Sequence, residues 1–227
     1  MSGKYDMKNM IVACSLLLAF GTAQAQPYGH FDMRQVLMPH AEGDASYQLN
    51  LEYLDRVLDD LAGHARNYPP AFDNQGDKRQ ALNDAKKLSD MLEIVAGGGQ
   101  ADTELLMRAG FLNSMAYNLD VPKSGERAQA AFAAVLQREP DNANAHYLYG
   151  SFLAGMGHAK EALPHLDRAV ELGQQEALYS LGMAYLTLGD KDAALRELEA
   201  YQAGHPNDRS VGGLIEAVRS GAGSVQR

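Results

Sequence analysis

Two apolar helical stripes separated by a short turn occupy Gly150 to Gly173, and the same design opens again at Gly182. Starting one unit at Ala109 and the next at Ala143 puts Leu112, Met115, Ala116 and Leu119 opposite His146, Tyr149, Gly150 and Leu153. In the second half of the unit, Ala128, Phe132 and Val135 fall opposite Ala162, Leu166 and Ala169, and Pro140 opposite Gln174. A third unit carries Leu178, Leu181, Gly182, Tyr185, Ala194, Leu198, Tyr201 and Pro206. A period of about 34 residues means that each unit is one helical hairpin, unable to bury its apolar face alone, that stacks on copies of itself. Gly150, Gly182, Ala162 and Ala194 let paired helices approach closely, and the larger residues fill the spaces between neighbours.

This pattern resembles the tetratricopeptide repeat, whose signature is a bulky residue, Leu-Gly, Tyr, then Ala, Phe and a closing Pro. The third unit matches it best; the first has Ala116 at the glycine position, and the second lacks the closing proline. The resemblance covers Ala109 to about Asn207, with units at about 109–142, 143–174 and 175–208. It implies helical-hairpin repeats stacked as a short right-handed α-solenoid. Pro164 falls inside the second helix of the middle unit, where it removes one backbone hydrogen bond and can kink the helix. After Pro206, Val211, Leu214, Ile215 and Val218 share one side of a capping helix that covers the end of the stack.

The rest of the chain also reads as helix, and no run of alternating β-branched residues occurs, so the fold class is all-α. Tyr47, Leu51, Leu54, Leu58, Leu61 and Ala65 predict a helix over Asp44–Arg66, capped by Asp44 or Ser46 and ended by Pro69-Pro70. A second helix over Lys78–Ala96 follows the turn "DNQGD", presents Ala81, Leu82, Ala85, Leu88, Leu92 and Val95, and stops at three glycines. Together residues 44–99 predict a helical hairpin closing the stack, outside the register of the repeats. Residues 26–43 lack periodicity and are expected to wrap or dangle, and 222–227 to form a disordered tail.

Residues 1–25 read as an export signal. Lys4 and Lys8 precede the apolar run Met10–Phe20, and Ala23-Gln24-Ala25 offers a cleavage site before Gln26, whether the chain starts at Met1 or Met7. The run is shorter than the ~20 residues that span a bilayer. The expected location is a bacterial periplasm or the exterior. Cys14 sits in a lipobox-like "IVAC", so a lipid anchor is the alternative, although most of the apolar run follows that cysteine. It is the only cysteine, so cleavage after Ala25 removes disulfides and thiol nucleophiles from the mature chain.

A formal charge of −9 with no Lys/Arg cluster argues against nucleic acid and anionic membranes as partners. No nucleotide loop, nucleophile elbow or metalloprotease motif occurs. His158 and His165 lie too far apart along a helix for one metal, and His146 takes a bulky packing position. The expectation is a protein that is not an enzyme and needs no cofactor or metal. The repeat resemblance implies a concave groove lined by the first helix of each unit. Its groove-facing positions follow the bulky residue and the glycine, which here are Asn113 and Tyr117, Tyr147 and Ser151, and Tyr179 and Met183. Tyrosine and methionine suit recognition. In this register the first helices hold no Lys or Arg, which disfavours an acidic partner tail and favours an apolar peptide or a partner helix in a cell-envelope assembly. A small-ligand binder or enzyme, with a pocket between residues 44–96 and the repeats, is the rival reading.

Overall fold

The structure is a computed structural model that describes residues 27–39, 47–97 and 101–221. The export segment, its Ala25/Gln26 boundary, Cys14, Asp44, Ser46 and the tail 222–227 lie outside the described residues. Among the described residues nine α-helices run in order: α1 Leu51–Ala65, α2 Gln75–Gly97, α3 Thr103–Asn118, α4 Ser124–Arg138, α5 Ala143–Gly155, α6 Ala159–Glu171, α7 Ala177–Leu188, α8 Lys191–Gly204 and α9 Arg209–Arg219. Helices α3/α4, α5/α6 and α7/α8 pair as hairpins, each stacked on the next, and α9 packs on α8. The all-α reading holds. It is qualified only by a short antiparallel clasp between β1 (Leu37–Pro39) and β2 (Tyr47–Leu49), with Leu37 opposite Leu49.

That clasp shortens the helix expected over 44–66. Residues 47–49 are spent on strand pairing, and the helix starts at Leu51. Asn50 caps it, its side chain accepting the Tyr53 N–H at 3.1 Å. Helix α2 starts at Gln75, ahead of Lys78, because Asn74 inside the expected turn accepts the Asp77 N–H at 2.9 Å.

Residues 27–36 wrap onto the fold. Gly29 N–H donates to Asp60 on α1 (2.9 Å), Asp32 N–H to the Tyr53 hydroxyl on α1 (2.8 Å), and Tyr28 N–H to Asp77 on α2 (3.2 Å). Gln80 on α2 donates back to the Gly29 carbonyl. Tyr28, Met33 and Val36 are buried in the same core as Leu54, Leu61, Leu88 and Leu112. Helices α1 and α2 therefore pack chiefly on α3 and on this strap rather than on each other.

The repeats show the close approaches that their small residues imply. A Cβ on Gly150 would stand 2.7 Å from Leu166 Cγ, and one on Gly182 2.6 Å from Leu198 Cγ. The corresponding place in the first hairpin belongs to Gly110, whose added Cβ would stand 2.6 Å from Phe132 Cε1, and not to Ala116. The stretch from Gly110 to Phe132 is six positions longer than those from Gly150 to Leu166 and from Gly182 to Leu198. The extra length goes chiefly into a later end of α3, at Asn118, and a longer turn in which Asp120 and Lys123 take positive φ. Helix α3 also starts at Thr103, ahead of Ala109, capped by Asp102, which accepts the Leu105 N–H at 2.7 Å.

Helix α6 continues without interruption past Pro164. Val211, Ile215 and Val218 of α9 are buried, Val211 and Ile215 packing against Leu198, as a stack-ending helix requires.

Candidate functional site

Side-chain bridges mark the face along which the first helices of successive hairpins lie side by side. The Ser151 and Ser180 hydroxyls, on α5 and α7, hydrogen bond at 2.8 Å. Arg108 on α3 grips Asp55 on α1 through two hydrogen bonds of 2.7 and 2.9 Å. Asn118 on α3 donates to the carbonyls of Ala65 and Arg66 at the end of α1. In stacked hairpin repeats this is the concave face.

Four of the six expected contact residues belong to it. Tyr179 and Met183 are 38% and 37% exposed on α7, one turn apart, so they present adjoining apolar surface to solvent. Ser151 is tied to Ser180. The half-buried Tyr147 on α5 accepts a hydrogen bond from Arg66 Nη2 at 3.1 Å. The Tyr179 ring lies 5.6 Å from that of Tyr201, which in turn stacks on His205 at 4.2 Å. Burial, followed by Asp208 and Tyr201, raises the Tyr179 pKa, so its hydroxyl stays a neutral donor.

Asn113 and Tyr117 sit elsewhere, as the displaced first unit requires. Asn113 is 2% exposed, accepts from Ser89 Oγ at 2.6 Å and donates to the Ala109 carbonyl at 2.8 Å. Tyr117 packs between hairpins, edge-on to Phe152 at 5.6 Å and against Gly125. Moving the unit to the Gly110 register hands its groove positions to Met107 and Phe111. Phe111 indeed lies beside the groove cation: the Arg66 guanidinium is 6.0 Å from its ring centre. Sequence reasoning missed Arg66, Phe111 and Ser180. The available signal was the interval from Gly110 to Gly150, longer than that from Gly150 to Gly182. It was masked by the better-looking alignment of Ala109 with Ala143.

The early start of α3 also places Arg108 in a first helix, contrary to the expectation of no cation there; Asp55 and Glu104 engage it. The Asp55 hydrogen bonds, with Asp55 and Glu104 charge, raise its pKa against the opposing effect of burial.

Two other groupings stand apart. A cleft of about 510 Å³ lies where α2, α3 and α4 meet, with Leu106, Ala109 and Ala131 among its lining. Its Arg127 is already engaged by Ser89 (2.7 Å), Asp90 (2.9 Å) and Glu93 (3.1 Å). Within the middle hairpin, His146 and His165 bring their Nδ1 atoms to 3.1 Å, and His146 Nε2 lies 2.9 Å from the Pro140 carbonyl. A carbonyl only accepts, so His146 Nε2 carries hydrogen and its neutral Nδ1 accepts from His165 Nδ1–H. Burial and then His146 lower the His165 pKa, favouring the neutral form of His165. Among the described residues no group of three or more His, Cys, Asp or Glu could hold a metal ion, and no helix is long and apolar enough to cross a membrane.

Residues 123–181 match the family model described as tetratricopeptide repeat. The fold is similar to a solved tetratricopeptide-repeat protein, YrrB, reported with an unusual peptide-binding site: TM-score 0.50, 18% identity, 73% of this chain and 85% of that one. It is also similar to the thermophilic repeat protein TTC0263 of Thermus thermophilus: TM-score 0.52, 19% identity, 74% of this chain and 88% of that one. No curated protein matches the chain. The matched segment, the glycine-to-bulky close approaches and the stacked hairpins together give this chain the helical-repeat fold of tetratricopeptide-repeat proteins, with residues 123–181 carrying the family pattern.

Proposed function

We propose that the protein is a non-catalytic interaction module that, after export to the bacterial cell envelope, holds a peptide segment or partner helix on the face of α3, α5 and α7. The observation that carries this reading is the run of Phe111, Tyr147, Tyr179 and Met183 across three successive first helices, with Tyr179 and Met183 exposed. Such a surface supplies amphipathic contact area at low entropic cost. The peptide-binding site named for YrrB lends support by analogy of fold alone. The envelope setting rests on the Lys4/Lys8 start, the apolar run and the Ala23-Gln24-Ala25 site. Lipidation at Cys14 would make the same module an anchored outer-membrane assembly factor. The cleft between α2 and α4 favours a second reading, a small-ligand binder, because it lies where residues 44–96 meet the first repeat.

The test is crosslinking and pull-down from intact envelopes, with the mass of the mature protein read in the same experiment. A discrete partner should be captured by the wild-type protein and lost on Tyr147→Ala with Tyr179→Ala, helical content being retained. Capture that survives both substitutions sinks the groove assignment. The mass separates cleavage after Ala25 from a lipidated Cys14.

A further inference from the structure

The first helices contribute no free cation to the groove, but the end of α1 brings one in. Arg66 stands one residue past α1, and its backbone is fixed there twice: its N–H donates to the Ala62 carbonyl, and its own carbonyl accepts from Asn118. Its guanidinium reaches across α3, above the Phe111 ring, to the Tyr147 hydroxyl on α5. That contact uses one of five N–H donors. Four other bridging arginines are neutralised, Arg108 by Asp55, Arg127 by Asp90 and Glu93, Arg168 by Asp141 and Glu171, and Arg219 by Glu199 and Glu216, while Arg138 on α4 spends a donor on the Ala101 carbonyl, away from the groove. No carboxylate among the described residues lies within ion-pair reach of Arg66. An acidic chain thus holds an exposed, pre-placed and uncompensated guanidinium beside its aromatic groove.

We infer that the occupant of this groove is an extended peptide segment bearing a carboxylate, bound by Arg66 beside Tyr147, and an apolar side chain seated at Tyr179 and Met183. The inference rests on the groove reading above and replaces the expectation, drawn from the sequence, that an acidic partner is disfavoured. A planar guanidinium with free donors matches a carboxylate in a forked, charge-assisted geometry. Packed helices stand about 8–10 Å apart, and an extended peptide advances about 3.3 Å per residue. One step from α5 to α7 is then about three residues, so the acidic and apolar residues should be spaced Asp/Glu-x-x-apolar. Because Asn118 holds the α1 end in place, little ordering is needed on binding.

The experiment selects a displayed library of random twelve-residue peptides on the full chain, then measures a synthetic peptide of the enriched sequence by fluorescence anisotropy. The enriched peptides should carry Asp or Glu about two to four residues from Phe, Tyr, Leu or Met. Arg66→Gln, checked for unchanged helical content, should weaken the synthetic peptide about tenfold, the effect of losing one charge-assisted contact. Arg66→Lys should restore part of it, and affinity should fall with added salt. Peptides without an acidic residue, or an Arg66→Gln affinity within about twofold of wild type while Tyr179→Ala still abolishes binding, overturn the carboxylate and leave the groove. Enriched peptides indifferent to Tyr179→Ala, or no enrichment at all, overturn the groove and the carboxylate together.

Discussion

The two hairpins α5/α6 and α7/α8 and the region ahead of them are built from similar helices but held together differently. In the later hairpins a glycine of the first helix meets a leucine at the matching place in the second, Gly150 with Leu166 and Gly182 with Leu198. Local spacing is enough to specify them, because each helix packs on its immediate neighbours. The region before α5 is joined through long-range polar contacts: Gly29 to Asp60, Tyr28 to Asp77, Arg108 to Asp55, Arg127 to Asp90. Its first hairpin is longer than the others, and the strap fills the space that a regular repeat would close with helix. The difference teaches that the irregular end, and not the regular repeats, supplies the groove's cation.

The comparison can be broken hardest at the glycines. Gly110→Ala should destabilise by about 1–3 kcal/mol, as Gly150→Ala should, since each new methyl must displace a packed side chain. Thermal or denaturant unfolding checks this, and a neutral Gly110→Ala would restore the register that places Ala116 opposite Gly150. A smaller effect tests the strap. Asp60→Asn keeps an acceptor for Gly29 N–H but removes the charge assistance, and should cost about 1 kcal/mol. Hydrogen exchange should quicken at Gly29 while the amides of α5 to α8 stay protected; quickening throughout would mean that strap and repeats open as one unit.

The subtlest test concerns the His146–His165 pair. A histidine pKa lowered by folding gives stability that is full above the unfolded value of about 6.5 and is lost as pH falls below it, toward the folded value. The wild type should therefore lose stability with acid from about pH 6.5, and His165→Phe, which keeps an aromatic ring without titrating, should lose less. Equal acid slopes would assign the loss to other groups.

Much of the fold was legible because helical periodicity is a local property. Leu54, Leu58, Leu61, Leu88, Leu92, Val211 and Ile215 are buried where their spacing put them. Tyr147, Ser151, Tyr179 and Met183 followed from repeats two and three for the same reason. Asn113 and Tyr117 did not, because a hairpin can lengthen its turn and its first helix together and keep an apolar stripe in both registers. Only the meeting of Gly110 with Phe132 decides between them. Tyr47 joined the predicted helix on spacing alone, and strand pairing with Pro39 overrode it.

By itself the sequence determined that the chain is a stack of helical hairpins with a capped end, since apolar period and small-residue positions act over one or two turns. The tertiary structure alone decided which glycine belongs to the first unit, where the strap lies, and that Arg66 stands beside Phe111 and Tyr147. Those contacts join residues far apart along the chain, Arg66 and Tyr147 being separated by 81 positions, and no local spacing encodes them.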